Sequence, residues 1–140
     1  KTIAILGLFI MLAITSVSAQ APGRVEVKIP FDFAAGKAEF KAGAYSIKRV
    51  SNNVLAIRSI DRKTTRLVDA PLAIDSRDSK AGARVVFNQY GGQYFLSQVW
   101  LTVESGRQLF TSGAEEKAAN DYRLAHKNEK AGRVEIAASR

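Results

Sequence analysis

The run Val85–Leu101, VVFNQYGGQYFLSQVWL, constrains the chain more than any other stretch. Two β-type segments, Arg84–Tyr90 and Gln93–Leu101, flank the pair Gly91-Gly92. Lacking a Cβ, adjacent glycines reach positive φ freely, as a two-residue type I′ hairpin turn requires. The second arm is apolar on both alternating faces, with Tyr94, Leu96 and Trp100 on one and Phe95, Val99 and Leu101 on the other. A strand wetted on one side shows polar alternation, so this arm is expected to be central and covered on both faces.

Shorter strands surround that hairpin. Arg24–Phe33 alternates Val25, Val27, Ile29, Phe31 and Phe33 with polar residues and Pro30, the pattern of one strand with one buried face. Pro30 lacks a ladder donor and points to an edge position or a bulge near the strand end. Ala34–Gly43 reads as a loop anchored by Phe40. Ala44–Val50 and Val54–Ile60 read as strands joined by the turn Ser51-Asn52-Asn53. Asp61-Arg62-Lys63 is a further turn into Thr64–Ala70, which Pro71 ends or bends, with Leu72–Ile74 as its continuation in a new direction. Asp75–Gly82 is a polar loop, and the pattern loosens through Thr102–Phe110. Ser112-Gly113-Ala114-Glu115 fits a capping box, and Ala118, Tyr122 and Ala125 form a narrow stripe on the alanine-rich helix that follows. The fold expected is a single antiparallel β-sandwich or flattened small barrel of about seven strands with one C-terminal helix. The expected layout is a signal peptide over 1–19, a linker over 20–23 and a β domain over 24–110. A helix follows over 111–132, and 133–140 is a last strand or a tail.

The leader reading rests on residues 1–20. Lys1 precedes an apolar run from Ile3 to Ile14, and Val17 and Ala19 occupy the small-residue positions of a cleavage site. Cleavage after Ala19 is preferred, with cleavage after Ala21 as the competitor. The core is shorter than the roughly 20 apolar residues of a span, so no stable membrane span is expected after cleavage. The expected localisation is therefore extracytoplasmic, either periplasmic or secreted.

The formal charge is +8, or +7 without the leader (20 basic against 13 acidic residues), and between Arg24 and Asp69 ten basic residues face five acidic ones. Such an excess favours anionic partners, and Lys48, Arg49, Arg58, Arg62, Lys63 and Arg66 are the candidates for that contact. An anionic envelope component, a lipid headgroup or glycan, is the partner expected. No base-reading or stacking module is present, so no specific nucleic acid is. Tyr94, Phe95 and Trp100 are the candidates for an apolar ligand.

The inventory for catalysis is poor. There is no cysteine, hence no thiol nucleophile and no disulfide, and His126, the only histidine, lies beside Lys127 on the expected helix. One histidine without cysteine does not make a zinc site, and Asp75-x-x-Asp78 lacks the spacing and turn glycine of a calcium loop. Asp32 in PFDF is expected to face solvent or bond a turn. Gly91-Gly92 has no following Lys-Ser/Thr and is no phosphate loop. No catalytic residue, metal or cofactor is expected.

IPFDF at 29–33, KAGAYSIKR at 41–49, LAIRS at 55–59 and VVFNQYGGQYFLSQVW at 85–100 together resemble a group of small exported bacterial proteins of unassigned activity. The resemblance implies an exported, mostly β domain and transfers no binding residue. The function expected is a non-enzymatic binding or envelope-interaction protein. The alternative is a small carrier or sensor holding an apolar ligand in a barrel-like core.

Overall fold

The computed structural model describes residues 23–76 and 82–139, so the leader and part of the polar loop Asp75–Gly82 lie outside the described residues. In chain order the strands are β1 (Arg24–Ile29), β2 (Phe33–Ala35), β3 (Ala38–Phe40), β4 (Gly43–Arg49), β5 (Val54–Ser59) and β6 (Thr65–Asp69). They continue as β7 (Leu72–Asp75), β8 (Arg84–Tyr90), β9 (Gln93–Trp100) and β10 (Ser105–Gln108), followed by helix α1 (Gly113–Ala125) and β11 (Gly132–Ala137). A small sheet runs β1-β4-β5-β6 and a large one β11-β8-β9-β10-β7, with β2 beside β9 and β3 beside β2. The two sheets make a sandwich with one C-terminal helix, not a closed barrel.

Among the described residues there are eleven strands where about seven are expected, because several pairings are too short to leave a period in the sequence. The continuous strand expected over Arg24–Phe33 stops at Ile29. Pro30 removes the donor that would extend the ladder, and the chain crosses to the other sheet before β2. The expected loop after Ala34 is largely the β2–β3 hairpin, whose tight turn uses Gly36 at φ +59°. Among the described residues antiparallel pairing is broken once, by the parallel bridge Ala34↔Phe95. Thr102–Phe110 contains β10, and the C-terminal segment is a strand paired to β8 rather than a tail.

Strand β9 is central and covered on both sides, with Phe95, Leu96, Val99 and Trp100 all buried. Its face assignment differs from simple alternation, however. Val86 pairs with Gln98 and the next residue, Phe87, with Leu96, so β9 carries one extra residue there. Such a bulge inverts the parity beyond it. Leu96 and Val99 therefore both belong to the intersheet core, while Trp100 joins Phe95 on the outer face. The turn also departs from type I′: Gly91 has φ +64° whereas Gly92 is not positive, the pattern of a turn that needs a left-handed residue only at its first central position.

Helix α1 lies on the outer face of the large sheet. Ser112 Oγ accepts from Glu115 N–H at 3.1 Å, as a capping serine does. Glu115 does not close the box. It is 5 % exposed, and its Oε1 accepts from Asn88 Nδ2 at 2.8 Å and Tyr90 OH at 3.2 Å. The buried stripe is consequently Glu115 and Ala118 with Tyr122 at its margin, and Ala125 is exposed.

Trp100, the only tryptophan, is held between the Arg84 guanidinium, 4.3 Å from its ring centroid, and the bare backbone of Gly106. A Cβ at Gly106 would come within 2.8 Å of the indole. Gly106→Ala should therefore cost about 1–3 kcal/mol, the usual range for overpacking, and red-shift the tryptophan emission. A urea melt followed by that fluorescence checks it, and an unchanged midpoint would show that the indole has room to move.

Candidate functional site

Strand alternation sorts the small sheet into two faces. Val25, Val27 and Ile29 of β1, Tyr45 and Ile47 of β4, Leu55 and Ile57 of β5 and Val68 of β6 point into the sandwich, each 5 % exposed or less. The residues between them lie on the opposite face and are exposed, apart from buried Ser46 and half-buried Ala56. Pairing sets Arg24 opposite Lys48, Ser46 opposite Arg58, and Lys28 opposite Ala44. Four cations, Arg24, Lys28, Lys48 and Arg58, thus share one face, against Glu26 on β1 and Asp69 at the β6 edge.

Arg24 is held in place: Nε donates to Ser46 Oγ at 2.9 Å, and Nη2 reaches Glu26 Oε1 at 3.4 Å. That pairing accounts for the face's central carboxylate. Lys28, Lys48 and Arg58 make no side-chain hydrogen bond or ion pair among the described residues. Three exposed cations on a rigid sheet with no internal partner are able to meet anions without first breaking a contact.

Of the six cations singled out from the sequence, the structure brings only Lys48 and Arg58 onto this face. Arg49 has the inward parity at the strand end, where its Nη2 donates to Asn52 Oδ1 at 3.0 Å. Arg62, at φ +62°, and Lys63 form the β5–β6 turn, which Asp61 closes by accepting from Ser59 Oγ at 2.6 Å and Lys63 N–H at 3.0 Å. Those bonds hold the Asp61 carboxyl below its usual pKa, the Ser59 hydroxyl contributing most. Arg66 has the parity of buried Val68 and points to the opposite side of β6. Arg24 and Lys28, which complete the face, were missed. Their alternation in β1 was visible, but the pairing of β1 with β4 was not.

The three apolar candidates are not brought together. Tyr94 lies on the inner face, stacked on Phe31 at a centroid distance of 3.8 Å and accepting from Gln89 Nε2 at 3.1 Å. Phe95 and Trp100 are on the outer face. Tyr94 and Phe95 border an open groove of ≈ 540 Å³ beside Phe33, Phe40 and Gly92, which Trp100 does not reach.

His126 follows the last turn of α1. It is exposed, its ring stacked on Tyr122 at 4.3 Å and its backbone N–H bonded to Tyr122 O. Asp32 Oδ1 accepts from Ala42 N–H at 2.8 Å, the turn-bonding role expected of it, and that bond above all lowers its pKa. Among the described residues no three of His, Cys, Asp and Glu are grouped as a metal cage requires, and no helix is long and apolar enough to cross a membrane. No protein-family model, curated protein or solved structure matches the chain.

Burial beneath α1, together with the adjacent Glu115 carboxylate, raises the pKa of Tyr90, and burial does the same for Tyr45, which donates to Lys41 O. A raised tyrosine pKa means the fold favours the neutral phenol, so this stabilisation is complete below the unfolded value of about 10 and is lost as pH rises through the folded one. An alkaline titration of stability should fall above about pH 10, and Tyr90→Phe should flatten that limb. An identical limb in the variant would place the titrating group elsewhere.

Proposed function

We propose that the protein is an exported, non-enzymatic binding module whose small-sheet outer face engages an anionic component of the cell envelope, a lipid headgroup or glycan. The observation that carries this reading is the set Lys28, Lys48 and Arg58: exposed, on one face, and free of internal partners among the described residues. Arg24, already tied to Glu26 and Ser46, orients the rim of the same face and contributes less net charge. Export rests on the leader pattern of residues 1–19, which lie outside the described residues. The carrier alternative has weaker support. The intersheet core is filled by side chains at most 7 % exposed, and two of its three candidate aromatics point out of the sandwich.

Each basic residue near an anionic surface contributes about 1 kcal/mol, and the attraction is screened by salt. Co-sedimentation with phosphatidylglycerol vesicles should therefore show binding at low ionic strength that weakens steadily as salt is added. Changing Lys28, Lys48 and Arg58 together to Gln should weaken it roughly a hundredfold without altering the melting midpoint, since all three are exposed. Salt-insensitive binding, or binding unchanged in the triple variant, would contradict the reading for a lipid partner. The same comparison on an immobilised anionic polysaccharide tests the glycan.

A further inference from the structure

Among the described residues the β6 edge of the small sheet is unpaired, whereas the β1 edge is bridged at Glu26 to Ser139. Ser59 N–H donates to Thr64 O at 2.9 Å and Ala70 N–H to Asn53 O at 2.7 Å, and the same register sets Arg66 opposite Ile57 and Val68 opposite Leu55. Hydrogen-bonded pairs alternate along an antiparallel ladder, so the even-numbered residues of β6 bond to β5. Thr65, Leu67 and Asp69 turn their N–H and C=O groups to the vacant side. Among the described residues no other strand pairs there. Beside this edge runs a groove of ≈ 910 Å³, walled by Ala35–Glu39 of the β2–β3 hairpin on one side and by Phe110–Gly113 on another. Leu67 and Phe110, 66 % and 62 % exposed, face it from two elements.

A row of unpaired, alternately spaced donors and acceptors is a template for one kind of occupant, an extended backbone. A second copy of the chain fits it poorly. Antiparallel pairing of two β6 edges centred on Leu67 sets Arg66 diagonal to its twin. Centred on Arg66, it sets the two guanidiniums directly opposite, and centred on Val68, it sets Asp69 diagonal to its twin. Like charges directly opposite are destabilising, long side chains still reach one another on the diagonal, and each copy carries a formal +8, or +7 without the leader. A foreign strand with carboxylates near Arg66 and Lys37, apolar residues over Leu67 and Phe110, and no acidic side chain set against Asp69 or Glu39, which also line the groove, avoids these conflicts.

We propose that the β6 edge and its groove form a docking site for an extended acidic segment of another polypeptide, which joins the small sheet as a fifth strand. This site borders the cationic face, whose side of the sheet Leu67 and Asp69 share, but draws on different groups: the backbone of β6 supplies the affinity, and Leu67, Arg66 and Phe110 select the side chains.

The probe is a fluorescein-labelled peptide of alternating valine and glutamate, titrated with the full chain and read by fluorescence anisotropy. Saturable binding is expected, with a peptide of alternating valine and lysine binding at least about tenfold more weakly. Leu67→Pro removes the N–H that faces the vacant side and leaves the β5 ladder intact, a position where an edge strand tolerates proline. It should weaken the valine–glutamate peptide about tenfold or more. Should Leu67→Pro fail to fold by circular dichroism, Leu67→Asp at this exposed position should weaken it by a similar factor through repulsion. The Lys28, Lys48 and Arg58 triple variant should keep its peptide affinity. Absence of binding, equal affinity for wild type and the Leu67 variants, or loss in the triple variant alone would overturn the proposal. So would a concentration-dependent dimer that Leu67→Pro dissolves, since that outcome assigns the edge to a second copy.

Discussion

The Phe33 ring meets Phe40 nearly parallel at 4.9 Å and meets Tyr45 and Phe87 edge-on at 5.5 and 5.3 Å. These partners come from β3 and β4 and from the central hairpin strand β8, so a single side chain touches both sheets. It sits where the chain has just crossed between them, after Pro30 has ended β1. Phe31, two residues earlier, adds a stacked contact with Tyr94 and an edge contact with Phe87. Aromatic pairs of this geometry add about 0.5–1.5 kcal/mol each beyond the area they bury. The crossing is thereby fixed, and with it the parity of β1. Once Val25, Val27 and Ile29 are committed to the interior, Arg24, Glu26 and Lys28 have only the solvent side left.

The large sheet shows the opposite outcome. The extra residue in β9 divides its apolar side chains between the two faces, and the outer share has to be covered. Helix α1 does this against β8, where Tyr122 packs on Tyr90 and Tyr90 on Phe95, and its deep polar contact is the Glu115 carboxylate on Asn88 and Tyr90. Burying a carboxylate is tolerable only where hydrogen bonds replace water. That makes the contact specific: it fixes where the helix sits more than how strongly it is held. Trp100, farther along β9, is covered by Arg84 and by the close approach to Gly106. The two sheets thus differ in kind, one face sealed and the other open and charged.

Much of this fold was legible in the sequence because long alternating runs and turn residues are local signals. The central hairpin, the strands at 44–50 and 54–60, the turn at Asp61–Lys63 and the serine cap at 112 all follow from residues a few positions apart. What escaped was non-local or depended on a single insertion. The bulge in β9 leaves no mark in SQVW beyond ordinary alternation, yet it moves Trp100 to the other face. The three-residue strands β2 and β3 exist through pairing with each other and with β9, not through any period of their own. Glu115 read as a capping residue because its spacing from Ser112 suited that role, and Asn88 lies 27 residues away in the chain. The cationic face was half legible for the same reason. Lys48 and Arg58 stood out by charge, whereas joining them to Lys28 required knowing which strand pairs with β4.

The picture that results is a sandwich with one covered and one open side, the open side carrying Lys28, Lys48 and Arg58 without an internal partner among the described residues. Backbone amide shift mapping during titration with an anionic lipid nanodisc examines that division directly. Shifts confined to β1, β4 and β5 around Arg24, Lys28, Lys48 and Arg58, with β8, β9 and α1 silent, are the result predicted. Shifts centred on β8, β9 and α1 would contradict it, since the partner would then be reaching the face that the helix is built to close.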